Sequence, residues 1–147
     1  MPLQDSPSAI AAQERGAHHL LGDLRVLVVD NEPQLLQAFG ALLESEGARV
    51  TLCGDAEEAV RLALAGGFDA VISDLAMPER DGHWLARQLR RHDATRQLAL
   101  IAVSGMTRDV DRAEAQAAGF DAHLDKPVDL GLLAETLVGV LGSPRQA

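Results

Sequence analysis

Short apolar runs alternate with amphipathic stretches from about residue 24 to residue 142. Val26-Leu27-Val28-Val29 is a continuous apolar run, as expected of a strand buried on both faces. Pro33 follows, suited to the first turn of a helix. Leu35, Leu36, Phe39, Leu42 and Leu43 then share one helical face, with Gly47 as the stop. Val50 to Cys53 predicts a second, weaker strand. Asp55 and Glu58 have capping-box spacing ahead of a helix carrying Val60, Leu62, Ala63 and Leu64, which Gly66-Gly67 ends. Ala70 to Ser73 predicts a third strand, and Gly82 to about Asp93 a third helix with Trp84, Leu85 and Leu89 inward. Leu98 to Val103 is a fourth strand, and Thr107 caps a fourth helix that runs to Gly119. Ala122 to Leu124 is a short fifth strand. Leu130, Leu133, Leu137, Val140 and Leu141 line a last helix, closed by Gly142 and Pro144.

Strict alternation of strand and helix implies a parallel sheet covered on both faces. Five such units in about 120 residues predict an α/β, flavodoxin-like, doubly wound five-stranded parallel sheet of order 2-1-3-4-5 with five helices. Residues 1–23 read as an extension, flexible or partly helical. Residues 24–142 are the domain and residues 143–147 a tail. A chain of 147 residues suffices for one core.

Composition narrows the picture. No apolar run approaches a membrane span, and the start lacks the basic, apolar and small-residue order of a secretory signal. No membrane association and a cytoplasmic location are therefore expected. Cys53 is the only cysteine, which excludes an intrachain disulfide. A formal net charge of −9 without a basic stripe argues against direct nucleic-acid binding. Among 13 Lys and Arg residues, Lys126 is the only lysine. It offers a compact ammonium that an arginine fork cannot imitate.

In doubly wound sheets the ligand site lies beyond the carboxyl ends of the strands. Asp30, Asn31 and Glu32 follow the first strand, Asp74 the third, Ser104 the fourth and Lys126 the fifth. Singly, each has a plain reading as a turn former, a helix cap or a loop residue. Together they bring two carboxylates, an amide, a hydroxyl and the only lysine to one rim. Clustered acids call for a cation, and an oxygen-rich set with one or two carboxylates suits Mg²⁺. A carboxylate can also be the nucleophile in phosphoryl transfer, with metal and lysine neutralising the transferring group.

These residues resemble the response-regulator receiver family over about Leu24 to Leu141. Val-Leu-Val-Val-Asp30-Asn31-Glu32-Pro33 is similar to its acidic opening, and Asp74-Leu75-Ala76-Met77-Pro78-Glu79-Arg80-Asp81-Gly82 to its phosphoacceptor loop. Ser104-Gly105 resembles its hydroxyl switch, and Lys126-Pro127 its lysine before a proline, usually joined by a cis bond. The resemblance implies phosphorylation of Asp74. It implies Mg²⁺ held by Asp30, Asn31, Asp74 and the backbone carbonyl of Ala76, with Ser104 and Lys126 on the phosphoryl oxygens. It implies a histidine kinase or histidine phosphotransfer protein as donor, a place in a phosphorelay, and signalling by a population shift of the fourth-helix, fifth-strand and fifth-helix face to a protein target. A homodimer through that face rests on the family pattern alone. On this reading the chain is a phosphoacceptor that assists its own modification, not an enzyme. It is either a single-domain regulator, which the initial Met and extension favour, or a receiver cut from a hybrid kinase.

Two departures stand out. Asn31 replaces an acid that commonly ligates the metal directly, which predicts weaker Mg²⁺ binding. His123 occupies a switch position, three before Lys126, where an aromatic residue is common. It reads either as a partly exposed strand histidine or as an altered, pH-sensitive coupling. Both departures support the alternative of a pseudo-receiver, a binding module that acts without phosphorylation; Asp74, Ser104 and Lys126 oppose it. A haloacid-dehalogenase-type phosphatase needs a second Asp two positions after the nucleophile, and Ala76 stands there. Arg90-Arg91 read as a solvated helix face, and Trp84 and Cys53 as packing residues. His18, His19, His83 and His92 lack metal-ligand spacing.

Overall fold

The structure, a computed structural model, describes residues 21–105 and 108–142. Five strands alternate with five helices: β1 (Arg25–Val29), α1 (Pro33–Ser45), β2 (Arg49–Cys53), α2 (Ala56–Ala65), β3 (Ala70–Asp74), α3 (Gly82–Arg91), β4 (Ala99–Ser104), α4 (Asp109–Ala118), β5 (Ala122–Asp125) and α5 (Leu130–Gly142). The strands are all parallel in the order β2-β1-β3-β4-β5, the flavodoxin-like arrangement expected from the alternation.

Alternate strand residues feed two cores, because successive side chains point to opposite faces. Leu27, Val29, Val71, Leu100 and Ala102 meet Ala59 and Ala63 of α2, Leu85 and Leu89 of α3, and Ala115 of α4. Val26, Val28, Ile72, Ile101 and Val103 meet Phe39 and Leu43 of α1 and Leu133 and Leu137 of α5. Each large apolar side chain among them, fully buried, contributes roughly 1.5–3 kcal/mol. Asp55 caps α2 by accepting the Glu58 N–H at 2.8 Å, and Asp81 caps α3 by accepting that of Trp84 at 2.9 Å.

Several boundaries move. β3, β4 and β5 each run one residue further than the apolar pattern indicates, so Asp74, Ser104 and Asp125 end strands rather than follow them. Helix α4 is capped at Arg108, whose N–H and guanidinium both bond Asp111; Thr107 lies outside the described residues. Leu21 is fully buried and its N–H donates to the Glu46 carbonyl at 3.0 Å, so packed structure begins no later than residue 21. Most of the expected extension, with His18 and His19, and the tail after Gly142 lie outside the described residues.

Arg90 corrects the expectation of a solvated Arg90-Arg91 face; Arg91 alone is exposed. The Arg90 guanidinium donates to the Gly119 carbonyl at 3.0 Å, to those of Arg96 and Leu98 at 2.7 Å each, and to Asp121 Oδ2 at 3.0 Å. Asp121 Oδ2 also accepts the Leu100 N–H at 2.8 Å. One side chain thus ties the end of α3 to the starts of β4 and β5, a task for a rigid multi-donor fork.

Candidate functional site at the carboxyl ends of the strands

β1 and β3 are adjacent and in register, Val29 opposite Ser73, which sets Asp30 beside Asp74 at the same end of the sheet. Both are buried. Asp30 Oδ1 accepts the Glu32 N–H at 2.9 Å, and Asp74 Oδ1 accepts the Ala76 N–H at 3.3 Å. Between the two carboxylates stands Lys126, its Nζ 3.4 Å from Asp30 Oδ2 and 3.5 Å from Asp74 Oδ1. The only lysine of the sequence therefore joins the two buried acids in a partly buried acid–ammonium–acid triad.

Ser104 is buried at the end of β4, one residue beyond the partner of Asp74. Its carbonyl accepts the Lys126 N–H at 3.0 Å, which joins the ends of β4 and β5. The Lys126–Pro127 bond is cis, in line with the resemblance. Asp30, Asp74, Ser104 and Lys126 thus gather at one end of the sheet. Asn31 and Ala76 flank them on exposed loops. His123 sits lower on β5, opposite Ala102 and on the α4 side.

The loop after Asp74 is held by one hydroxyl and one backbone bond. The Ser73 hydroxyl donates to the Asp74 carbonyl at 2.8 Å, and the Gly82 N–H to the Leu75 carbonyl at 3.0 Å. A Cβ on Gly82 would stand 2.5 Å from the Asp74 carbonyl oxygen and 2.9 Å from the Leu75 Cα. Glycine is required there because α3 starts against the strand end that carries Asp74. Arg80 arches over the Trp84 ring at 5.2 Å and pairs with Glu57 at 3.7 Å, while Trp84 packs half-buried on the core.

Burial pushes the Asp74 carboxyl above its usual range, the Asp30 charge pushes it further, and Lys126 draws it part of the way back. Burial likewise raises the Cys53 thiol, which suits a packing role. Two crowded carboxylates with one shared ammonium remain short of positive charge. Carboxylate oxygens are hard donors of the kind that suits a divalent cation such as Mg²⁺. No cluster of three or more His, Cys, Asp or Glu groups placed to bind a metal occurs among the described residues. No described helix is long and apolar enough to cross a membrane.

The family model for the response regulator receiver domain matches residues 26–138, and the chain belongs to that family. It is 38 % identical over 109 residues to an uncharacterised 14.6 kDa protein of Leptolyngbya boryana, covering 74 % of this chain and 83 % of that one. It is 32 % identical over 117 residues to the transcriptional activator protein PfeR of Pseudomonas aeruginosa, covering 80 % of this chain but 37 % of PfeR. Among solved structures, the receiver domain of sensor histidine kinase PA1611 from Pseudomonas aeruginosa is 31 % identical with a TM-score of 0.77, covering 83 % of this chain and 100 % of that one. That structure holds a magnesium ion in its active-site cleft. The protein is thus a receiver domain of two-component signalling.

Proposed function

We propose that the protein is phosphorylated on Asp74 with Mg²⁺ and signals by a conformational shift to a protein partner. The observation that carries this reading is the triad itself, a buried carboxylate of raised pKa beside a second carboxylate and the sole lysine. The described hydrogen bond and ion pair of Asp74 both fall on Oδ1, which favours Oδ2 as the attacking oxygen. That oxygen would bond to phosphorus as the phosphorus–nitrogen bond of a phosphohistidine breaks. The nitrogen keeps the electron pair of that bond, and a proton on the ring's other nitrogen lets the imidazole leave without charge. Ser104 and Lys126 would bind two of the phosphoryl oxygens, and Lys126 would offset the added negative charge. A bound Mg²⁺, held by Asp30, Asn31, Asp74 and the Ala76 carbonyl, would neutralise the remainder.

A histidine kinase or histidine phosphotransfer protein is the donor on this reading. An apolar groove of about 470 Å³ opens beside the rim, lined by Leu35, Ala38, Phe39 and Leu42 of α1 with Lys126, Pro127 and Val128. It is where a donor could seat an apolar helix face while its histidine reaches Asp74. The test is intact mass after incubation with acetyl phosphate. One added phosphoryl group is expected with Mg²⁺, little without it, and none on Asp74→Asn. An unmodified wild-type protein would instead support a binding module that works without phosphate.

A further inference from the structure

His123 is a half-buried residue whose two ring nitrogens both lack solvent contact and a hydrogen-bond partner. A neutral imidazole carries one donor and one acceptor, and leaving both unpaired is costly. A protonated ring would bury two unpaired donors and a charge, which is worse. His83, on the first turn of α3, shares the feature: its Nε2 is enclosed and unpartnered, while its Nδ1 stands 3.6 Å from Asp81 Oδ2.

The ring lies under α4, opposite Ala102 of β4. Charged groups face it from three elements. Asp111 and Arg112 come from α4, Asp125 from β5 and His83 from α3, while Asp121, just before β5 and paired with Arg90, lines the same cleft of about 280 Å³ as His123 and Arg112. Arg108 engages Asp111 at 3.0 Å, and Arg112 grips both oxygens of Asp125 at 2.9 and 2.8 Å. Arg87 and Glu114 line a cleft of about 250 Å³ against His83. The acids and bases around His123 offset one another and the carboxylates are already engaged, so burial decides. It holds the imidazole below its ordinary titration range.

We propose that His123 makes the α4–β5 face a proton-operated element: the ring is neutral while α4 is closed over it, and protonation opens that enclosure to water. This goes beyond phosphoryl chemistry and needs no donor. The sign follows from linkage. A histidine whose pKa is lowered in the closed state favours closure at high pH. Closure loses ground as pH falls through the ordinary histidine value, about 6.5, towards the lower closed-state value. The ratio of closed to open changes by at most about tenfold per pH unit in that window. A charge on His83 opposes a charge on His123.

Imidazole and backbone-amide NMR of the full chain, titrated from about pH 8 to about pH 5, tests the proposal. His123 is expected to titrate below the ordinary midpoint, with the amides of Arg112, Ala115 and Asp125 moving at that same midpoint. In His123→Phe those amides should stay flat, and His83→Gln should raise the His123 midpoint. His123→Gln serves as the second variant where the Phe variant does not fold, and should also flatten the amides. An ordinary or raised midpoint for His123, silent α4 amides, amides that still move in the variants, or a midpoint unmoved by His83→Gln would overturn it.

Discussion

Replacing Lys126 with Met removes the ammonium that separates two buried carboxylates and keeps most of the aliphatic stem. At 3.4 and 3.5 Å, with an effective dielectric of about 20, each lost attraction is worth about 5 kcal/mol in isolation. Much of that is offset. The Lys126 side chain retains 24 % exposure, so solvent screens it, and its own desolvation cost disappears with it. A net loss of about 2–3 kcal/mol near neutral pH is expected, somewhat below the cost of breaking a fully buried pair. The loss must depend on pH. Burial and Asp30 already push the Asp74 carboxyl up, and removing Lys126 pushes it further. A carboxylate with a raised folded-state pKa stabilises the fold below its unfolded value, and that stability is lost as pH rises through the folded value. The deficit should therefore be small near about pH 4 and fully developed at about pH 7. Urea unfolding at both values, with and without Mg²⁺, measures it. Mg²⁺ should stabilise Lys126→Met more than the wild type, because it supplies the missing positive charge. A variant as stable as the wild type near neutral pH, and no more responsive to Mg²⁺, would refute this charge accounting.

Other substitutions probe other links. Gly82→Ala should lose about 1–3 kcal/mol by urea unfolding, because the new Cβ meets backbone on β3 and in the following loop. Arg90→Lys should cost roughly 2 kcal/mol, since an ammonium cannot span the acceptors that the guanidinium reaches; an unchanged unfolding midpoint would argue against that staple. Asn31→Asp should tighten Mg²⁺ binding by roughly three- to tenfold in calorimetric titration, and equal affinities would remove Asn31 from the ligand set.

The architecture was legible because parallel strands buried on both faces leave continuous apolar runs, as at Val26–Val29 and Ala70–Ile72, separated by helices with one apolar stripe. The site was legible because a parallel sheet points all its carboxyl ends the same way, and Asp30, Asp74, Ser104 and Lys126 sit at those ends. Strand ends were misread by one residue because backbone ladders continue through Asp74, Ser104 and Asp125, whose side chains carry no apolar signal. Arg90 was misread because charge predicts exposure, whereas its guanidinium reaches carbonyls at the starts of two distant strands. Leu21 gave no periodic signal, being a single anchor. The surroundings of His123 were hidden for a related reason: its neighbours come from α3, α4 and β5, and no local pattern brings His83, Asp111 and Arg112 together.

A crystal structure grown with Mg²⁺ and beryllofluoride tests the central claim most directly. The account predicts a trifluoroberyllate on a carboxylate oxygen of Asp74, with Ser104 Oγ and Lys126 Nζ on its fluorines and the metal ligated by Asp30 and Asp74. Beryllofluoride bound elsewhere, or a metal that leaves Asp30 and Asp74 unligated, would contradict it.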